Sequence, residues 1–271
     1  MASLLSPAQV SQYHRDGFLF PFRVLSPVEV LEFRSGLEDL EARLCAARRN
    51  FLPLWQCHLH FRWAYDLATH PRILDIVEEI IGPNILVHTS SVFRKNPGDS
   101  ASIPWHQDGH YWRMSPPTLV SAWIALTEST IDNGCMQVIP GSHHERLPHS
   151  SIRRGSNMLA SGLTLEQPPK ESSAVNVILA PGQISLHHLN LVHGSKQNRT
   201  HESRVGFAVR YAAPEVRQEL PHHSAVLARG KDVCHNYDLL REPPGDNVES
   251  GIASLAELVA WIREQRLSSA D

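Results

Sequence analysis

A change of hydrophobic period near residue 84 constrains the fold more than any other feature of this chain. Before it, the pattern is helical. Ser6-Pro7 is an N-cap followed by proline at the first helical position, and predicts a short helix over Ala8–Arg15 that Gly17 ends. Ser26-Pro27 repeats the signal, and Val28–Arg43 carries apolar residues at Val28, Val30, Leu31, Phe33, Leu37 and Leu40, a spacing that gives one buried face. Pro71–Ile81 reads as a third helix, closed by Gly82-Pro83. After it come short β-rich runs divided by Gly, Pro, Asn and Asp: Ile85–Arg94, Thr118–Glu128, Met136–Pro140, Ala174–Leu179, Gln183–Leu189 and Arg204–Ala212. A last helix is expected over Leu255–Leu267. Many short strands between turn signals point to an antiparallel sandwich or barrel, so the predicted class is mainly β with flanking helices, and a jelly roll suits it best. The polar stretch from Pro148 to Ser173 has no clear period and is either a surface loop or a mobile loop over a site.

With 271 residues, the chain is read as a single domain: a helical part over about 1–84, a β core over about 85–212 and a C-terminal extension with its helix over about 213–271. Hydrophobic residues make up 42% and charged residues 20%, enough for a sizeable core and against general disorder. A net charge of −3 without a dense Lys/Arg run argues against a nucleic-acid partner. No window approaches the roughly 20 apolar residues that cross a bilayer. The N-terminal stretch is interrupted by His14, Arg15 and Asp16 and is not read as a signal peptide. Cys45, Cys57, Cys135 and Cys234 lack CxxC spacing and are expected to be free thiols of a cytoplasmic protein, monomeric or homodimeric, that acts on a small molecule.

Seventeen histidines make a metal site worth seeking, although a mononuclear site uses only a few of them. His106-Gln107-Asp108 is a His-x-Asp. In a strand, residues i and i+2 share a face, so one imidazole and one carboxylate can meet one cation. Two histidines and a carboxylate on one side of a metal, with open positions opposite, is the donor set of non-haem iron oxygenases. His187, His188 and His193 compete for the third position. His193 is favoured because Gly194-Ser195 follows it, and because Arg204 opens a strand eleven residues on, where a guanidinium can hold the far carboxylate of a keto-diacid. His187 shares the parity of His193 and is placed towards the pocket. His58 and His60 alternate and can share a face, with no carboxylate partner in view. His143-His144, after Pro140-Gly141-Ser142, reads as a turn.

These motifs resemble the phytanoyl-CoA dioxygenase family of Fe(II)/2-oxoglutarate oxygenases over roughly residues 8–212. The resemblance is carried by Trp105-His106-Gln107-Asp108-Gly109, by Trp123-Ile124-Ala125-Leu126, by Asn133 through Gly141-Ser142-His143, and by His193-Gly194-Ser195 with Arg204. It implies a double-stranded β-helix core, a jelly roll of cupin-like form, with iron on His106, Asp108 and His193. It further implies 2-oxoglutarate held by Arg204, with Ser195 and Trp123 lining its pocket and Lys95 near a lysine that touches it. Trp123 on its own reads as core packing. The implied reaction uses O2 to decarboxylate 2-oxoglutarate to succinate and CO2 while a second substrate is oxidised. Halogenating relatives have a small neutral residue where Asp108 stands, so hydroxylation of an aliphatic C–H is the default. A small metabolite or natural-product intermediate is favoured as substrate. The alternatives are an acyl-CoA, for which Arg146, Arg153 and Arg154 would supply a basic patch, and a cupin-like metalloenzyme that uses no 2-oxoglutarate. Tyr111, Trp112 and Met114 are expected to form an apolar or cation-binding wall.

Overall fold

The computed structural model describes residues 4–48, 54–151, 157–158, 162–219, 224–243, 245 and 247–268. The chain runs through α1 (Pro7–Asp16), β1 (Phe18–Arg23), α2 (Pro27–Ala46), α3 (Arg62–Ala68) and α4 (Pro71–Ile81). Then come β2 (Ile85–Lys95), β3 (Ile103–His106), the single turn α5 (Gly109–Trp112), β4 (Met114–Ser115), β5 (Leu119–Ala125), β6 (Met136–Val138), β7 (His149–Ser151) and β8 (Leu163–Leu165). The remainder is β9 (Val175–Val177), β10 (Gln183–His188), β11 (His193–Ser195), β12 (Arg204–Ala212), β13 (Arg217–Gln218), β14 (Ser224–Arg229), β15 (Asp238–Leu239) and α6 (Val248–Ser268).

The first two helices start where their capping boxes stand: Ser6 and Ser26 each accept from the backbone N–H three residues on, and Gln9 and Glu29 reach back. The last helix begins earlier than its apolar pattern suggests, because the Asn247 side chain accepts from the N–H groups of Glu249 and Ser250. The sequence patterns named no element between Gly17 and Ser26, where the strand Phe18–Arg23 forms with Pro21 inside it. It is tolerated because β1 is the edge strand of its sheet, with a register irregularity between Leu19 and Phe22. The stretch expected to be a bare loop holds β7 and β8, paired antiparallel.

Two sheets carry the architecture, one of seven strands in the order β1-β10-β5-β12-β2-β14-β15 and one of four in the order β3-β11-β6-β9. The mainly-β class with flanking helices is therefore observed. Trp123 and Ala208 from the large sheet pack with Met136 and Val138 from the small one, so a thin core lies between the sheets. The main core lies on the other face of the large sheet. There Leu37 and Leu40 of α2, Leu67 of α3 and Ile73 and Val77 of α4 pack with Ile124, Ile184, Phe207 and Val209. The helical first third thus covers one face of the large sheet, and the face towards the small sheet carries the thin apolar core together with buried polar residues such as Arg204 and His187. Among the described residues no helix is long and apolar enough to cross a membrane.

Candidate active site

β3 and β11 run antiparallel with His106 opposite His193, and the two ring centroids are 4.1 Å apart. Each Nδ1 is held by the carbonyl two residues back, His106 by Pro104 at 2.9 Å and His193 by Leu191 at 2.9 Å. With Nδ1 donating, each Nε2 keeps its lone pair for a metal. Asp108 follows the end of β3 with φ −56° and ψ −36°, so the strand parity expected of His-x-Asp stops at His106. The chain instead turns into α5, and the turn carries Asp108 Oδ1 to 3.5 Å from His106 Nε2. Gly109 sits tightly in that turn: its N–H donates to Leu189 O at 3.0 Å, and a Cβ there would force the Asn190 side-chain amide to swing away. The ligand atoms of His106, Asp108 and His193 lie within 4.8 Å of one another, the one such group among the described residues.

Burial raises the Asp108 carboxyl pKa, but Arg210 and the two imidazoles outweigh it and hold the group well below the usual carboxylate range. Burial, then the neighbouring His106, pushes His193 down to about 4. Both residues are therefore in the form that binds a metal at neutral pH. Asp108 Oδ2 is buried and has no hydrogen-bond partner. An orphaned carboxylate oxygen beside two correctly tautomerised imidazoles fits a divalent cation, which would balance a charge otherwise costly to bury.

Arg204, Ser195 and Trp123 line the same cavity as the three candidate ligands. Arg204 is 2% exposed, its Nε and Nη2 have no partner, and its guanidinium lies 5.2 Å from the Trp123 ring centre. Burial lowers it to about 10, which leaves it charged. Lys95 sits opposite Arg204 in register and donates from Nζ to Ser195 Oγ at 2.7 Å and to the Lys196 carbonyl, so it reaches the cavity through Ser195.

His187 lines the cavity, with both ring nitrogens buried and unpartnered, while His188 points away and stacks near His143. His58 and His60 do not form a pair: the first is buried against Ser90 and the second bonds Ser254. Arg146 donates to the Met114 carbonyl, whereas Arg153 and Arg154 lie outside the described residues. Of the expected wall, Tyr111 is 6.0 Å from His106 between ring centres and Trp112 lies 5.1 Å from the Arg210 guanidinium, but neither is among the residues lining the cavity, and Met114 is buried in a separate apolar cluster with Leu119 and Leu189.

The sequence reading missed two residues. Gln107, between the two ligands, donates to Asn190 O at 2.6 Å and Glu145 O at 2.8 Å and accepts from Leu147 N–H at 2.9 Å, tying three segments together. Arg210 is 6% exposed and lines the cavity. Strand parity was its available signal, since residues 204 and 210 share a face of β12.

The family described as phytanoyl-CoA dioxygenase (PhyH) matches residues 13–206. Rat peroxisomal phytanoyl-CoA dioxygenase is 31% identical over 240 residues, which cover 79% of this chain and 70% of the rat one. The human enzyme is 34% identical over 159 residues, 56% of this chain but only 46% of the human protein, so the match spans about half of that relative. Among solved structures, the apo form of a non-haem monooxygenase, ThoJ, superposes with a TM-score of 0.82 at 30% identity, covering 96% of this chain and 97% of its own. The chain belongs to the phytanoyl-CoA dioxygenase family, whose members are iron- and 2-oxoglutarate-dependent oxygenases.

Proposed function

We propose that this protein is a 2-oxoglutarate-dependent dioxygenase that hydroxylates an aliphatic C–H of a small metabolite or natural-product intermediate. The observation that carries the reading is the buried convergence of His106, Asp108 and His193 in one cavity with the unpartnered guanidinium of Arg204. His106, Asp108 and His193 hold Fe(II). Iron with 2-oxoglutarate and O2 supplies the oxidising chemistry, and succinate and CO2 are the products.

The protein's own residues bind, orient and keep out water. Arg204 takes the far carboxylate of 2-oxoglutarate through a charge-assisted fork, and Trp123 packs against that guanidinium and holds its direction. Ser195, fixed by Lys95, offers its hydroxyl beside the same carboxylate. Lys95 itself adds positive charge behind it. Carbonyl-locked imidazoles keep their Nε2 atoms aimed inward, and Gln107 holds the loop that carries Asp108. A carboxylate at position 108 favours hydroxylation over halogenation, since it occupies the place that an incoming halide would take. Related proteins include a probable hypophosphite dioxygenase and an ectoine dioxygenase, which supports a small substrate more than an acyl-CoA.

The same reading covers architecture and setting. The two facing sheets form a double-stranded β-helix, residues 1–271 make one domain, and the protein is cytoplasmic, as a monomer or homodimer. Four free cysteines support a reducing compartment.

An anaerobic titration with Fe(II) and 2-oxoglutarate should show the weak visible charge-transfer band of the chelate. Arg204→Ala should weaken 2-oxoglutarate at least tenfold with iron affinity kept, while Asp108→Ala should lose the band. A wild-type protein that binds iron and gives no band on adding 2-oxoglutarate overturns the proposal.

A further inference from the structure

We propose that Arg210 is the anchor for a carboxylate borne by the substrate that is oxidised. The inference rests on the function proposed above and deepens it by naming the substrate class: a small organic acid.

Arg210 lies six residues beyond Arg204 on β12, on the same face, in the cavity that holds the candidate metal ligands. Its surroundings do not satisfy it. Nη1 donates to Ser91 Oγ at 3.3 Å, a long bond, and Nη2 stands 3.6 Å from Asp108 Oδ2, outside hydrogen-bond reach. Nε is buried with no partner at all. The ring centres of Trp112 and Phe93 lie 5.1 Å and 5.8 Å from the guanidinium carbon. Aromatic rings at that distance stabilise the cation but accept none of its N–H groups in the guanidinium plane. What remains open is the Nε edge, which a planar carboxylate fits by two parallel bonds.

Charge leads to the same class. Asp108 is the sole carboxylate among the described residues lining the cavity. In the filled site a divalent ion, the dianionic co-substrate, Asp108 and Arg204 cancel. The positive charge of Arg210 is then left over in a buried space, and Lys95 can only add to the surplus. With Asp108 engaged by the metal ion, a buried guanidinium without a counter-charge of its own is unfavourable, and an entering anion relieves it. The Ser91–Arg210–Asp108 row also places the anchor beside the metal ligands, so a carboxylate held there brings neighbouring C–H groups of a small acid to the reacting centre.

The test uses the full chain, loaded anaerobically with Fe(II) and N-oxalylglycine to fill the co-substrate place. Acetate, propionate and phenylacetate are each titrated calorimetrically against their own amides, which match them in shape and lack the charge. At least one acid is expected to bind tenfold or more tightly than its amide, the size of one charge-assisted pair. In Arg210→Met the preference should fall to within about twofold, with N-oxalylglycine affinity unchanged. No acid preference in the wild type, or a preference that survives Arg210→Met, overturns the proposal. Equal losses of acid and N-oxalylglycine affinity assign Arg210 to the co-substrate and overturn it too. Where the methionine variant does not fold, Arg210→Lys is read instead: it keeps the charge without the fork, and an acid preference undiminished there sinks the two-pronged contact. Absence of the Fe(II)/2-oxoglutarate charge-transfer band counts against the function proposed above and not against Arg210, for which the acid and amide comparison is then made on the metal-free protein.

Discussion

At Lys95 two effects act in the same direction. Burial first, and then the neighbouring Arg204, together lower the ammonium from about 10.5 to about 7. Half of the side chains are therefore neutral near pH 7 before any anion arrives. In the unfolded chain the same lysine stays protonated until about 10.4. The folded protein thus binds fewer protons between about pH 7 and 10, and the contribution of Lys95 to stability rises with pH through that window, its cost being full below about 7. Co-substrate binding has the opposite sign. A dianion favours the charged lysine, so 2-oxoglutarate should draw a proton onto the protein above pH 7, and its affinity should decline as pH rises through about 7. Calorimetry in two buffers of different ionisation enthalpy measures that uptake. The decline and the proton uptake should both vanish in Lys95→Met; their persistence would show that another group titrates.

β12 supplies both arginines of the site. It holds Arg204 and Arg210 on one face and Phe207, Val209 and Tyr211 in the helix-covered core on the other. Gly206 stands between the two arginines, and a Cβ there would collide with the Trp123 indole. The glycine is what lets the ring lie against the strand and under Arg204. Gly206→Ala should displace the indole and remove a cation–π contact of about 1 kcal/mol, which is about a fivefold loss of 2-oxoglutarate affinity. Iron affinity should not change; an equal loss of both would mean a general collapse of the strand. Much of this element was legible in the sequence, because Arg204–Ala212 is bounded by polar turns and its arginine stands at a telling distance from His193. His106 and His193 were legible for the same local reason. Asp108 was found by the wrong geometry, since residue spacing cannot show that the chain leaves the strand after His106. Arg210 and Gln107 stayed hidden because their meaning lies in partners that fold in from 119 and 83 residues away.

Across the whole molecule, the two layers are joined at Tyr211. Its side chain is fully buried, and its hydroxyl donates to the Ala68 carbonyl at the end of α3 at 2.8 Å. Trp63 of α3 packs on Phe207 of the same strand, with ring centres 5.8 Å apart, and α2 comes so close to Trp63 that Gly36 has no room for a side chain. The helical part and the β core thus share one hydrophobic cluster rather than meeting across a linker. Tyr211→Phe removes one buried hydrogen bond and leaves a carbonyl unsatisfied, a loss of about 1 kcal/mol. In a single cooperative domain that loss is felt everywhere at once. Amides of α3, α4, β5 and β12 that exchange only by global unfolding should then all exchange about fivefold faster in the variant, as hydrogen–deuterium exchange with mass spectrometry reads it. Acceleration confined to α3 and α4, with β5 and β12 unchanged, would show that the helical layer opens by itself, and the single-domain assignment would fail.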